Sequence, residues 1–154
     1  MTAERFEWRV LNRMLGYYAD GLELSAMPNY QLDILRKALP FYKRIRHCTH
    51  GDRYVQAGPT VQYAPMVDED DNWECYQHVA RDGGMSVLYI YRCLSLESTR
   101  TWKLRGLDPN AVYHAGFWSG LPERDYAGAE LMDKGYTCTL ENMRNADIMV
   151  LTKK

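Results

Sequence analysis

The sequence predicts a mainly β chain with helices at its N-terminus, and the β part reads as an antiparallel β-sandwich. Three observations carry this. Up to Gly51 the apolar residues recur at helical spacing. Beyond it the chain turns into short alternating runs separated by Gly, Pro, Asn and Asp. Tyrosine and tryptophan, which suit strands, are abundant, with 12 and 4 residues. At 154 residues, 46% of them hydrophobic, the chain can bury a core.

A helix is expected over 3–15. Thr2 can cap it, Glu4 in its first turn complements the helix dipole, and Phe6, Val10 and Met14 form its stripe. Gly16 can end it. The "LELSA" run, bounded by Gly21 and Pro28, suits a buried strand. A second helix begins near Pro28 or Asn29, with Leu32, Leu35, Leu39 and Tyr42 as its apolar stripe and Lys37, Lys43, Arg44 and Arg46 toward solvent. Pro40 should kink or divide it, because proline removes a backbone donor. "THGD" at 49–52 is read as a turn.

Strand signals follow. "RYVQ" and "TVQYAPM" are short candidates. "NWECYQHVA" and "MSVLYIYRCL" flank "RDGG" as a hairpin. The second of these is apolar on both faces, as a central strand must be. "TWKLRGL" and "AVYHA" read as a further hairpin, turned at Asp108-Pro109-Asn110, where Pro109 presets the backbone angle and Asp108 can close the turn. Residues 116–128 look like loop, and "YTCTL" and "ADIMVLTKK" give the last strands. There is no internal repeat and no low-complexity segment.

Little in this pattern carries chemistry. The net charge of −1 gives no footprint for nucleic acid and no polybasic patch for a membrane. No apolar run is long enough to span a bilayer, and "MTAERFEWRV" does not read as a signal peptide, so the expectation is a soluble, cytoplasmic chain. Cys48, Cys75, Cys93 and Cys138 form no Cys-x-x-Cys pair and read as buried thiols. Asp68, Asp70 and Asn72 have the alternation of a calcium loop, but Trp73 stands at the sharp-turn glycine position and Val79 at the closing glutamate. His47, His50, His78 and His114 lack partners at metal-ligand spacing. "FWSGLP" puts Phe117 where a nucleophile elbow would need glycine before Ser119. The chain has neither a Walker A sequence nor a Gly-x-Gly-x-x-Gly. No catalytic, cofactor-binding or metal residue is nominated, and no cofactor is expected. Aromatics at Trp73, Trp102, Phe117 and Trp118 leave open a sugar-stacking platform beside plain core packing.

Taken in order, several segments resemble the end of the catalytic barrel and the C-terminal domain of α-galactosidases of glycoside hydrolase family 36. They are Tyr42, Lys43 and Arg46, then Gly51, Asp52 and Tyr54, then "LRGLDPNAVYHA", then "YAGAELMDKGY" with Tyr126, Gly128, Leu131, Met132 and Gly135, and the closing "ADIMVLTKK". The similarity covers most of residues 20–154. Two departures are that Ser25-Ala26 replaces Ser-Gly and that the loop at 116–128 is long. The resemblance implies that residues 1–50 are the last strand and helices of a (β/α)8 barrel and that residues 51–154 are a Greek-key type sandwich. It also implies a retaining mechanism with two aspartates on middle barrel strands, the nucleophile after Lys-Trp. This chain has no Lys-Trp-Asp; its Trp102-Lys103 is reversed. The chain is therefore expected to be a structural portion of such an enzyme, inactive alone. Its partners would be the rest of the barrel or a second copy, and any α-galactoside would belong to the complete enzyme. A non-catalytic carbohydrate-binding or interaction module is the alternative.

Overall fold

A computed structural model describes residues 1–16, 23–57 and 72–154. In chain order the elements are helix α1 (Ala3–Arg13), helix α2 (Asn29–Ile45), strands β1 (Asp52–Ala57), β2 (Trp73–Val79), β3 (Met85–Arg92), β4 (Thr99–Trp102), β5 (Val112–Phe117) and β6 (Arg124–Ala127), helix α3 (Gly128–Asp133), and strands β7 (Tyr136–Thr139) and β8 (Asn145–Lys153). The chain is mainly β with a few N-terminal helices, and among the described residues all strand pairs are antiparallel. One sheet has six strands in the order β1-β2-β3-β8-β5-β6; the other pairs β4 with β7.

The large sheet has a different cover on each face. Tyr76, Val87, Tyr89, Tyr91, Ile148 and Val150 project to one side, where Phe6, Val10, Leu11, Met14, Leu35, Ala38 and Ile45 of the two helices close over them. Cys75, Leu88, Ile90, Tyr113, Ala115, Met149 and Leu151 project to the other, under Trp102, Leu104, Leu131, Tyr136 and Cys138. Successive strand residues point to opposite faces, so a strand buried on both must be apolar at every position. "VLYIY" at 87–91 meets that demand, with the buried Ser86 and Arg92 hydrogen-bonded on either side of it, and β3 lies between β2 and β8 as expected.

The first helix matches its expectation closely: the Thr2 hydroxyl accepts from the Arg5 amide at 3.3 Å, and the stripe Phe6, Val10, Met14 is buried. The second helix does not divide. Pro40 sits inside one 17-residue helix. Burial of Leu35 and Ala38 before it and Ile45 after it holds the helix to the sheet across the missing donor. Its buried stripe is Leu35, Ala38 and Ile45, with Leu39 turned to solvent.

Four further expectations need correction. Leu24–Ala26 forms one exposed turn of 3₁₀ helix instead of a buried strand, with Leu24 57% exposed; Leu22 and the "TVQYAPM" run lie outside the described residues. Residues 46–50 continue α2 as a short 3₁₀ segment, so the turn at 49–52 is absorbed into it and into β1. Residues 116–128 are not loop throughout, since β5 runs to Phe117 and β6 pairs back onto it. Most consequential, 101–115 is not a hairpin. β4 pairs with β7 in the small sheet, while β5 pairs with β6 and β8 in the large one. The Asp108 turn does form, with its carboxylate accepting from the Asn110 amide at 2.9 Å, but it carries the chain from one layer to the other.

That crossing is held by side chains standing in for a ladder. The Gln77 amide donates to the Arg105 carbonyl at 2.8 Å and accepts from its amide at 2.9 Å. Gly106, at φ +64°, lets the chain pass close under Tyr54. At the end of β3 the buried Arg92 guanidinium donates to the carbonyls of Ser95, Leu140 and Glu141 and so ties the strand to the β7–β8 connection. Five fixed donors suit arginine to gathering several carbonyls at once.

Candidate functional site

The helix-covered face of the large sheet is closed by α1 and α2 near β2 and β3 but leaves a cleft toward β5. This cleft holds about 270 Å³ and is lined by Lys37, Phe41 and Arg44 of α2, by His114, Gly116 and Phe117 of β5 with Trp118 and Glu123 beyond it, and by Val150 and Thr152 of β8. The placement follows from two periodicities. Positions 37, 41 and 44 share one helix face, and 114 and 116 share one strand face with their cross-strand partners Thr152 and Val150.

Trp118 anchors one wall. Its indole N–H donates to Glu7 at 2.9 Å, its ring edge meets Phe41 with centroids 5.2 Å apart, and the Lys37 ammonium lies 3.8 Å above its ring while donating to its carbonyl at 3.0 Å. Next to it, Ser119 donates to the buried Asp147 carboxylate through its hydroxyl at 2.6 Å and its amide at 3.0 Å. Burial pushes the Asp147 carboxyl up, against the opposing pull of Ser119, the Ile148 amide and Lys37.

Across the cleft, the His114 ring bonds Asp125 through Nδ1 at 2.8 Å and Glu123 through Nε2 at 3.0 Å, and Lys154 pairs with Asp125. The bond to Asp125, then that to Glu123, raises the imidazole above its ordinary range. The arrangement holds two carboxylates on one imidazole ring, each already engaged. It offers charge and hydrogen bonds at a rim, without a carboxyl in the raised, apolar setting that a general acid needs.

The aromatics named from sequence do not converge. Trp73 and Trp102 are buried together on the strand-covered face with centroids 6.2 Å apart, whereas Trp118 belongs to the helix-covered core and Phe117 reaches the cleft. All four cysteines are free and buried. Burial pushes the Cys48 thiol up to about 11, Cys138 up to about 12 and Cys75 well above its ordinary value. Burial, then Arg53, lowers His78 to about 4, so it stays neutral against Tyr89. His47 and His50 are exposed at the end of α2. Among the described residues no three His, Cys, Asp or Glu gather as metal ligands. Asp68 and Asp70 lie outside those residues. No described helix is long and apolar enough to cross a membrane.

Sequence reasoning missed the grouping of His114, Glu123 and Asp125 because it read 116–128 as loop. The signal available was "RDYA" ahead of Gly128, which pairs residue for residue with "VYHA".

Comparison with known proteins agrees with this architecture. The model of the glycosyl hydrolase family 36 C-terminal domain matches residues 73–151. No curated protein matches. The solved α-galactosidase AgaA of glycoside hydrolase family 36 from Geobacillus stearothermophilus superposes with a TM-score of 0.75 at 20% identity, over 95% of this chain and 19% of that one. The galactosidase domain of the α-galactosidase-sucrose kinase AgaSK gives 0.72 at 21% identity with the same coverage. The α-galactosidase from Lactobacillus brevis gives 0.63 at 23% identity, over 86% of this chain and 18% of that one. At these identities the likeness is one of fold, and the chain spans about a fifth of the length of those enzymes. The family match covers β2 through most of β8, the body of both sheets, and on that ground the chain belongs to the glycosyl hydrolase family 36 C-terminal domain family.

Proposed function

We propose that this chain serves as the C-terminal structural portion of an α-galactosidase-like retaining glycoside hydrolase, an enzyme that hydrolyses O-glycosidic bonds, and that it carries no catalytic carboxylate of its own. One observation carries the reading: the likeness of fold extends over 95% of the chain, helices included, yet over only 19% of the enzymes it resembles. Residues 1–50 are then read as the end of a (β/α)8 barrel and 51–154 as the sandwich behind it. The Greek-key reading rests on the return of β8 between β3 and β5 after the excursion through β4 and β7.

In this reading the helices join barrel to sandwich. Tyr91 donates to the Leu11 carbonyl at 3.1 Å, Lys37 to the Trp118 carbonyl, and Trp118 to Glu7. A retaining glycosidase needs two carboxyl groups roughly 5 Å apart across the scissile bond, one of them free to attack. Glu123 and Asp125 are both held by His114, and Asp147 is buried under Ser119. The remaining barrel, or a second copy of the chain, is the partner this role calls for, and the galactoside would sit in the complete enzyme.

The alternative, a carbohydrate-binding or interaction module, has less support, since three of its four platform aromatics are core residues. The test is hydrolysis of an aryl α-galactoside by the purified chain. No turnover above background is expected. Turnover that survives purification and changes with substitutions at Glu123, Asp125 or Asp147 would overturn the proposal.

A further inference from the structure

The cleft between α2 and the β5–β6 hairpin has a use that the structural role leaves unexplained. We propose that it binds a small anionic ligand, a carboxylate or phosphate carried on a ring of about monosaccharide size. This goes beyond the proposed function and does not rest on it.

Charge is the first argument. Arg44 is exposed and has no hydrogen bond or ion pair among the described residues; its guanidinium is oriented only by the Phe41 ring, 5.2 Å away. The neighbouring cation Arg36, by contrast, is paired with Asp33 at 2.7 Å. A planar guanidinium with its donors free is suited to two-point recognition of carboxylate or phosphate. Lys37 is fixed by Trp118 through one N–H and has the Glu7 carboxylate 4.0 Å away, so its charge is partly met. Glu123, the one carboxylate of the lining, is engaged by His114. Arg44 is therefore the uncompensated charge of the cleft among the described residues, and it is positive.

Shape is the second. Phe41, Phe117 and Val150 supply apolar wall, and the Thr152 hydroxyl carries no hydrogen bond among the described residues. Gly116 leaves the floor open. A Cβ built there meets only the Glu123 carboxylate, at 3.8 Å, and its backbone is not left-handed, so a side chain would occupy cleft space without a clash. A volume of about 270 Å³ suits one small ring.

The experiment is calorimetric titration of the purified chain, at low ionic strength, with galacturonate, galactose 1-phosphate, inorganic phosphate and galactose. At least one of the two anionic sugars is expected to bind, with neutral galactose and inorganic phosphate each at least about tenfold weaker. Which sugar binds tells carboxylate from phosphate. Arg44→Gln should weaken that binding about tenfold or more. Gly116→Val should abolish it with the thermal midpoint preserved, and Arg36→Gln should leave it unchanged. No binding of either anionic sugar overturns the proposal. So does galactose or inorganic phosphate binding as tightly, or affinity that Arg44→Gln leaves unaltered.

Discussion

The two faces of the six-stranded sheet are covered by different means and finished to different degrees. On the strand-covered face the polar ends of large side chains mostly find partners: Trp73 donates to the Glu97 carbonyl at 3.0 Å, Tyr113 accepts from the Asp108 amide at 2.9 Å, and Gln77 bonds the Arg105 backbone. Among the described residues, Trp102 Nε1 is an exception there. On the helix-covered face, Trp8 Nε1, His78 Nδ1, Tyr89 Oη and two nitrogens of Arg53 are buried without a hydrogen bond among the described residues. A buried polar group left unpaired costs about 1–3 kcal/mol. The helices are thus a cover fitted less completely than the strands on the other face. The family match begins at Trp73 and omits both N-terminal helices together with β1.

The strongest way to break this contrast is to cut one core side chain on each face. Leu88→Ala under β4 and β7 and Met14→Ala under the helix cover both empty fully buried positions, and each is expected to cost about 3 kcal/mol in urea unfolding. Their hydrogen-exchange signatures should differ. Met14→Ala should speed exchange in α1 and α2 well before β3 and β8, whereas Leu88→Ala should lower protection everywhere. If Met14→Ala lowers strand and helix protection equally, the helices are not a separate layer.

Acid should act on the helix-covered face next. His78, lowered to about 4, binds a proton more readily unfolded than folded, so its contribution is complete above about pH 6.5 and is lost as pH falls toward 4. The loss is on the order of 3 kcal/mol. Urea midpoints between pH 7.5 and 4 check this, and His78→Phe should flatten the slope. On the strand-covered face Gly135 sits at φ +88°, with the Trp102 carbonyl where a Cβ would go, so Gly135→Ala is expected to cost about 2 kcal/mol, read from thermal midpoints.

Smaller effects sharpen the comparison. His114, raised by Asp125 and Glu123, stabilises fully below its ordinary value near 6.5, and that contribution fades as pH rises through its raised value. Because the ring is exposed, the change should be slight; NMR titration of the imidazole above the ordinary range is the direct check, and His114→Gln should remove the dependence. Smallest of all, Tyr89→Phe removes an unpartnered buried hydroxyl, and stability should stay within about 1 kcal/mol or rise. A large loss would mean that the hydroxyl has a partner, and the helix-covered face would be better satisfied than described.

Much of the fold was legible because it is local. The α1 cap and stripe, the β2–β3 hairpin, the apolar centre of β3 and the final strand β8 each follow from spacing within one segment, and each stands where the sequence puts it. Burial of all four cysteines follows from their apolar surroundings in the same way. The cleft was not legible. Its members come from α2, β5, the β5–β6 connection and β8, and nothing in the spacing of "HAGFWSGLPERDYA" says that Asp125 returns to His114.

What the sequence settled by itself is the N-terminal helices, the central strand, and a set of segments specific enough to place the chain in its family. Only the tertiary structure decided that Trp102 and Tyr113 lie in different sheets, that Leu39 faces water while Ala38 is buried, and that a positive cleft opens beside Trp118. The reason is physical. Alternation fixes that a segment is extended and which residues share a face, but each strand edge can take any partner with free N–H and C=O groups. The choice is made by packing between residues distant in the chain.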